Sequence, residues 1–234
     1  MKLRKQNKVY KILTFFILLI IIACIIGSFI YFYLGNKIES RKEKLENEAY
    51  RLVSILFDDT AFDGDFNEDY KQKVTLSRYN HDESRNDTID YVSCNKIYNN
   101  GFQHTVIIDE IEYNCVGSTL VLNYSDVNKR GQEIFGKKYV VPKKGIVIEN
   151  AFYDYVSSTG KFVKLNSNNN NFKKFSFNIG NIYEHGNLLH VMVTLIDEED
   201  PISDEYYQII FEREDGHYVF KVGFVINEET FQMD

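Results

Sequence analysis

The chain has 234 residues, 44% of them hydrophobic, and a formal net charge of −7 at pH 7, which suits one ordinary domain with its own core once a membrane segment is set aside, and is tight for two. Lys2, Arg4, Lys5, Lys8 and Lys11 fall in the first 34 residues with no acid among them, leaving −12 on residues 35–234. A field of that sign repels nucleic acid and anionic wall polymers, and the lysines that cluster, Lys137, Lys138, Lys143 and Lys144, read as a solvated loop around a turn, so no nucleic-acid partner is expected.

From Ile12 to Leu34 run 23 residues without a charge, dominated by Ile, Leu and Phe, long enough as a helix to cross a hydrocarbon core of roughly 30 Å. The basic residues before it predict a cytoplasmic N-terminus, and Tyr31, Phe32 and Tyr33 sit where aromatic rings favour the membrane interface. A cleavable signal peptide has a shorter apolar region ending in a small-x-small site, which this run lacks. Ile21-Ile22-Ala23-Cys24 loosely fits a lipidation signal, but ten uncharged residues follow Cys24, so a membrane-buried cysteine is the better reading. The expected division is a basic cytoplasmic tail at 1–11, a transmembrane helix at 12–34, a juxtamembrane helix or stalk at 35–57 and an extracytoplasmic, mainly antiparallel β domain at 58–234.

The stalk is read from Ile38, Leu45, Ala49, Leu52, Val53 and Leu56, whose spacing is close to 3.6 residues. The acidic stretch Asp58–Asp69 ends it as a loop. From Lys71 onward, short runs rich in Val, Ile, Tyr, Phe and Thr predict strands at Lys73–Tyr79, Thr88–Tyr98, Gln103–Tyr113 and Thr119–Tyr124. A short helix is expected next, capped by Ser125 or Asp126 and closed by Gly136. Two hairpins follow, Lys138–Val141 with Ile146–Glu149 and Phe152–Ser157 with Lys161–Leu165, and then an Asn-rich loop at Ser167–Asn171. The last third alternates most clearly, with Phe175, Phe177, Ile179; Leu189, Val191, Val193, Leu195; and Tyr218, Phe220, Val222, Phe224, Ile226 all at period two. Short loops around Gly186, Pro201 and Gly216 join these runs into an antiparallel meander. The fold class is therefore α+β and strand-dominated: an N-terminal transmembrane helix continuing into a juxtamembrane helix, then a curved antiparallel β-sheet domain.

Signals for chemistry are sparse. Cys94 and Cys115 lie in adjacent expected strands of a domain placed in an oxidising compartment, which makes them a disulfide candidate. Asp63, Asp65, Asn67 and Asp69 alternate like the start of an EF-hand calcium loop, but Glu68 stands where Gly is needed and Val74 where the bidentate Glu belongs, so calcium is a weak candidate. Ser158-Thr159-Gly160-Lys161 matches the Ser-x-x-Lys spacing of penicillin-recognising enzymes but falls in a hairpin without the companion motifs. No nucleophile elbow, His-Glu-x-x-His or Gly-rich phosphate loop is present, and no catalytic residue or cofactor is expected. Among 17 Tyr and 18 Phe, Tyr153, Tyr155, Tyr206 and Tyr207 are weak candidates for an exposed aromatic recognition patch. The absence of Trp, the two prolines and the abundance of Asn, Ile, Lys and Tyr suit the AT-rich genome of a low-GC bacterium.

The expected function is a single-pass plasma-membrane protein whose extracytoplasmic domain binds or scaffolds other envelope proteins, more a binding module than an enzyme. In layout, a short tail, one helix, then a helix followed by a curved antiparallel sheet, the chain resembles the membrane scaffold subunits of type IV secretion and conjugation machines, whose outer domain has the cone fold of nuclear transport factors; no motif carries that resemblance. The alternative is an envelope enzyme, hydrolytic in character, with a site assembled from residues distant in sequence.

Overall fold

A computed structural model describes residues 2–57, 62, 64–80, 87–89, 105–115, 119–167, 175–197 and 205–227, the backbone alone over 2–21 and 87–89 and at 30, 32, 36 and 80. It divides into two compact units, Met1–Glu48 and Ala49–Asp234. The first is helical and belongs to α1 (Lys2–Phe57). Lys42 and Glu46 pair one turn apart at 3.7 Å, as expected of a solvated helix face. Among the described residues no helix is long and apolar enough to cross a membrane; the expected span Ile12–Leu34 lies in α1, and the side chains of its residues 12–21, 30 and 32 lie outside the described residues.

The second unit opens with the last turns of α1, which bury Ala49, Leu52, Val53, Leu56 and Phe57. Next comes α2 (Glu68–Asn80), where a strand was expected at Lys73–Tyr79. The helix starts because the Asn67 side-chain oxygen accepts from the Tyr70 N–H at 2.9 Å and Glu68 and Asp69 occupy the first turn, where acids complement the helix dipole. The alternation of Val74, Leu76 and their neighbours misleads because the helix is enclosed on most sides: Tyr70, Gln72, Val74, Thr75, Leu76, Ser77 and Tyr79 are all buried. With only Glu68 and Asp69 exposed and Lys71, Lys73 and Arg78 half-buried, the solvent stripe is too thin to show a clear 3.6-residue signature.

The described strands form two wholly antiparallel sheets. The larger holds β1 (Asp87–Ile89), β2 (Thr105–Ile108), β3 (Ile111–Asn114), β4 (Thr119–Asn123), β5 (Ile146–Ile148), β6 (Ala151–Val156) and β7 (Lys161–Ser167), with β7 pairing β3, β4 and β6. The run expected as one strand at Gln103–Tyr113 is instead the hairpin β2–β3. Asp109 and Glu110 both take positive φ, 48° and 67°, the geometry of a two-residue hairpin turn, here without the glycine that usually announces it. The hairpin expected at 138–149 also changes partner. Val141 gives its N–H to the Asn128 side chain at 2.9 Å and its carbonyl to the Tyr124 hydroxyl at 2.9 Å, leaving β5 to pair with β6 across Glu149 and Asn150. The strand expected at Thr88–Tyr98 is described only as β1, and the remainder, with the Asn-rich stretch 168–171, lies outside the described residues.

Helix α3 (Tyr124–Phe135) begins at Asn123, ahead of the expected caps, and closes at Gly136 as expected, with φ 89° and its N–H on Gln132. One core joins α2 and α3 to the larger sheet through Leu76, Tyr79, Leu122, Val127, Tyr153 and Phe162. The smaller sheet is the expected meander, β8 (Phe175–His185), β9 (Leu188–Asp197), β10 (Glu205–Glu214) and β11 (His217–Ile226), in the order β11-β10-β9-β8. Its inner face packs on an aromatic cluster: Phe62 and Phe66 lie 5.4 and 5.8 Å from Tyr207, Phe66 lies 5.2 Å from Phe220, and Phe57 lies 6.4 Å from Phe177. The architecture is α+β with strands dominant.

The join between α1 and α2 is polar and half-buried. Arg78 donates from Nε to the Ile55 carbonyl at 2.8 Å and from Nη2 to the Ser54 carbonyl at 2.7 Å, while the Tyr70 hydroxyl donates to the Leu56 carbonyl at 2.6 Å. The last carbonyls of a helix have no partner within it, and a guanidinium there also meets the negative end of the dipole. Arg78→Ala is expected to lower the stability of the full chain in detergent by about 2 to 3 kcal/mol, read as the urea midpoint by circular dichroism. Arg130→Ala, which breaks an i,i+3 pair with Glu133 at 3.0 Å, should cost under about 0.5 kcal/mol.

Candidate functional site

The pleat of β8–β11 sends alternate side chains to opposite faces. The inner rows carry Val191 with Ile209, and Val193 with Tyr207, all buried. The outer rows follow from the same register: Asn178, Thr194, Tyr206 and Ile226; then Met192, Gln208 and Phe224; then Tyr183, His190, Ile210 and Val222. Met192 and Thr194 at the centre are buried, whereas Tyr183, Val222 and Phe224 are 38%, 40% and 41% exposed. The outer face is thus largely apolar and aromatic where an alternating meander would present polar residues to water.

One polar arrangement sits on this face. The Tyr183 and His190 rings stack at 4.6 Å with 9° between their planes. The Gln208 amide Nε2 donates to the Tyr183 hydroxyl at 2.9 Å and lies 3.3 Å from His190 Nδ1. Nδ1 accepts that bond only in the neutral ring, so the network favours the uncharged histidine. Burial pushes the His190 pKa below 6.5, and His185 nearby acts in the same direction.

A second feature is a partly open cavity of about 170 Å³ with an apolar floor of Leu52, Ile55, Leu56, Ile134 and Phe211 and a rim that includes Arg130, Glu133, His217 and Tyr218. Substrate pockets are usually about 300–1,000 Å³, so this one holds a group of benzene size at most. Beside it the Tyr218 hydroxyl donates to Glu184 at 2.7 Å, and the Arg213 guanidinium lies 4.8 Å over the Tyr218 ring and 3.8 Å from Glu184. Two carboxylates are held below the usual carboxylate range, the half-buried Glu212 through Lys221 first and the exposed Asp215 through Lys137. This is the direction of ion pairing and opposite to that of a general acid. Burial and Glu205 raise the Tyr207 hydroxyl pKa, which keeps it a neutral donor to that carboxylate.

The residues singled out from the sequence are dispersed. Tyr153, on β6, and Tyr207, on β10, are buried at 2% and 1%, and Tyr155 packs on Tyr124 at 5.6 Å. Of the four tyrosines, Tyr206 belongs to the outer face of the meander. Asn67 caps α2 and lies 3.5 Å from Asp65, Asp69 pairs with Lys144, and Asp63 lies outside the described residues. Among the described residues no group of three or more His, Cys, Asp or Glu stands together as metal ligands. Cys115 is buried with Sγ 3.8 Å from the Thr119 hydroxyl, Cys94 lies outside the described residues, and Cys24 is a free thiol. The lysine cluster is engaged: Lys137 pairs with Asp215 and Lys143 lies 4.7 Å over the Tyr124 ring. The signal for the outer face was available in Val222-Gly223-Phe224-Val225-Ile226, apolar at both parities and so unable to show one polar face.

No protein-family profile, curated protein or solved structure matches the chain.

A histidine whose pKa falls on folding contributes stability that is present above its unfolded value and lost as pH drops through the folded one. The unfolding midpoint is therefore expected to fall from about pH 6.5 downward, and His190→Gln should flatten that slope relative to the parent chain, compared by urea titration at pH 7 and pH 5.

Proposed function

We propose that the chain is a membrane-anchored binding or scaffolding module, its helix held in a bilayer through residues 12–34 and its domain extracytoplasmic, contacting other envelope proteins. The observation that carries the anchor is the surface of the helix in the first unit: Ile22, Ile25, Ile26, Phe29 and Leu34 are all exposed, from 44% to 73%. Apolar area costs about 25 cal/mol per Å² when left in water, and hydrocarbon removes that cost. Ser28 supports the same reading, because its hydroxyl donates to the Cys24 carbonyl at 2.8 Å and so is satisfied without water. The basic residues before the run favour a cytoplasmic N-terminus.

Binding rather than catalysis is supported by the form of the second unit. Its aromatic outer sheet face suits packing against a partner. The expected outcome of a pull-down of the full chain from gently solubilised native membranes is a stoichiometric set of envelope proteins; recovery of the chain alone speaks against scaffolding. Anchoring is tested separately. The parent chain should stay in the membrane pellet through alkaline carbonate extraction, and the double substitution Ile22→Arg with Ile25→Arg, at roughly 2.5 to 3.5 kcal/mol for each arginine near mid-span, should release it. A parent chain released by carbonate overturns the anchor.

An extracytoplasmic domain also supports a bridge between Cys94 and Cys115. Closing a loop of about 20 residues constrains the unfolded chain by roughly 3 kcal/mol. A non-reduced digest is expected to contain the linked peptides, and Cys115→Ser should lower the urea midpoint to that of the reduced parent chain. A free thiol at either position in the oxidised preparation excludes the bridge.

A further inference from the structure

The two edges of the smaller sheet differ. On β8 the ladder breaks at mid-strand, where Gly180 and Asn181 together oppose Met192, and such a bulge interrupts any further pairing. On β11 the corresponding break comes early: Lys221 is the extra residue, because Val222 pairs with Ile210 and Phe220 with Phe211, and its ammonium reaches Glu212 at 2.8 Å. Beyond it, Val222-Gly223-Phe224-Val225-Ile226 continues in unbroken register on β10 without a charge. Among the described strands β10 is its one partner. Val222, Phe224 and Val225 are exposed at 40%, 41% and 64%, so the apolar side chains of this edge reach solvent on both faces. A charge-free, β-branched and aromatic edge of this kind is a template for another strand.

We infer that this segment pairs antiparallel with the same segment of a second copy of the chain, about a two-fold axis through Phe224. The sequence is self-complementary in that register. Phe224 faces Phe224 of the other copy, Val222 faces Ile226, and Gly223 faces Val225, all apolar or neutral pairs. Lys221 meets Asn227, so the two lysines never oppose each other. Aromatic and β-branched cross-strand pairs are among those that stabilise sheets. The domain carries a strong net negative charge, and this neutral run lets two copies approach without like charges in contact. The product is one continuous eight-stranded antiparallel sheet, within the ordinary range of sheet sizes, and closed two-fold pairing leaves the β11 edges buried. The inference does not depend on the membrane anchor.

The test uses the full chain in density-matched detergent, by sedimentation equilibrium at micromolar concentration. The parent chain is expected to be a dimer. Phe224→Lys places two ammonium groups on the axis and should give a monomer that still unfolds cooperatively, its urea midpoint independent of protein concentration where that of the parent dimer rises with concentration. In a Cys24→Ser background, Phe224→Cys should form a reducible covalent dimer on mild oxidation, because directly opposed residues in an antiparallel pair bring their Cβ atoms to about 4.5–5.5 Å, while Lys221→Cys should not. A monomeric parent chain overturns the inference, as does a dimer that survives Phe224→Lys or that cross-links as readily through position 221 as through 224.

Discussion

The second unit depends on how one helix end is received. The carbonyls of Ser54, Ile55 and Leu56 leave α1 without partners in the helix, and α2 supplies them from two side chains eight residues apart, Tyr70 and Arg78. Unsatisfied, these groups would oppose the burial of Leu56 and Phe57. Satisfied, they let the last apolar turns of α1 and the aromatic residues Phe62, Phe66 and Tyr70 form one layer. The meander then rests its inner face on that layer through Tyr207, Phe177 and Phe220. Gln72 extends the same logic on the other side of α2, where its amide donates to the carbonyls of Pro142 and Lys144 and fixes the segment leading into β5.

This arrangement leaves the two faces of the meander with unequal roles. The inner face is spent on packing except at the β11 edge, where Val225 stays exposed. The outer face has no comparable layer in the described contacts, yet it keeps Tyr183, Val222 and Phe224 where water reaches them. Exposed aromatics on a rigid sheet lose little conformational entropy when they bind. The stacked pair of Tyr183 and His190, tied by Gln208, holds part of that surface in one arrangement.

Legibility followed locality. The meander could be read because the runs that became β8, β9 and β11 alternate over many residues and turns at Gly186 and Gly216 close two of its hairpins. Gly136 was recognisable as a helix end for the same local reason. The β2–β3 turn was hidden because Asp109 and Glu110 adopt positive φ without glycine. The α2 helix was hidden because burial on nearly every side erased its periodicity. Composition did not separate the tyrosines: a phenol on a strand looks the same in sequence whether it lies under the segment between α1 and α2, as Tyr207 does under Phe62 and Phe66, or on the outer face, as Tyr206 does.

The sequence by itself determined the charge asymmetry, the uncharged 23-residue run, the strand-dominated class and the order of the final strands, because each rests on composition or on periodicity over neighbouring residues. Tertiary structure alone decided that residues 68–80 are a helix, that β5 turns to β6, that the strands divide into two sheets, and which side of the meander is covered. Those outcomes depend on contacts between residues tens of positions apart, such as Arg78 with Ser54 and Gln72 with Lys144, whose free energies exceed the fractions of a kcal/mol that separate local propensities.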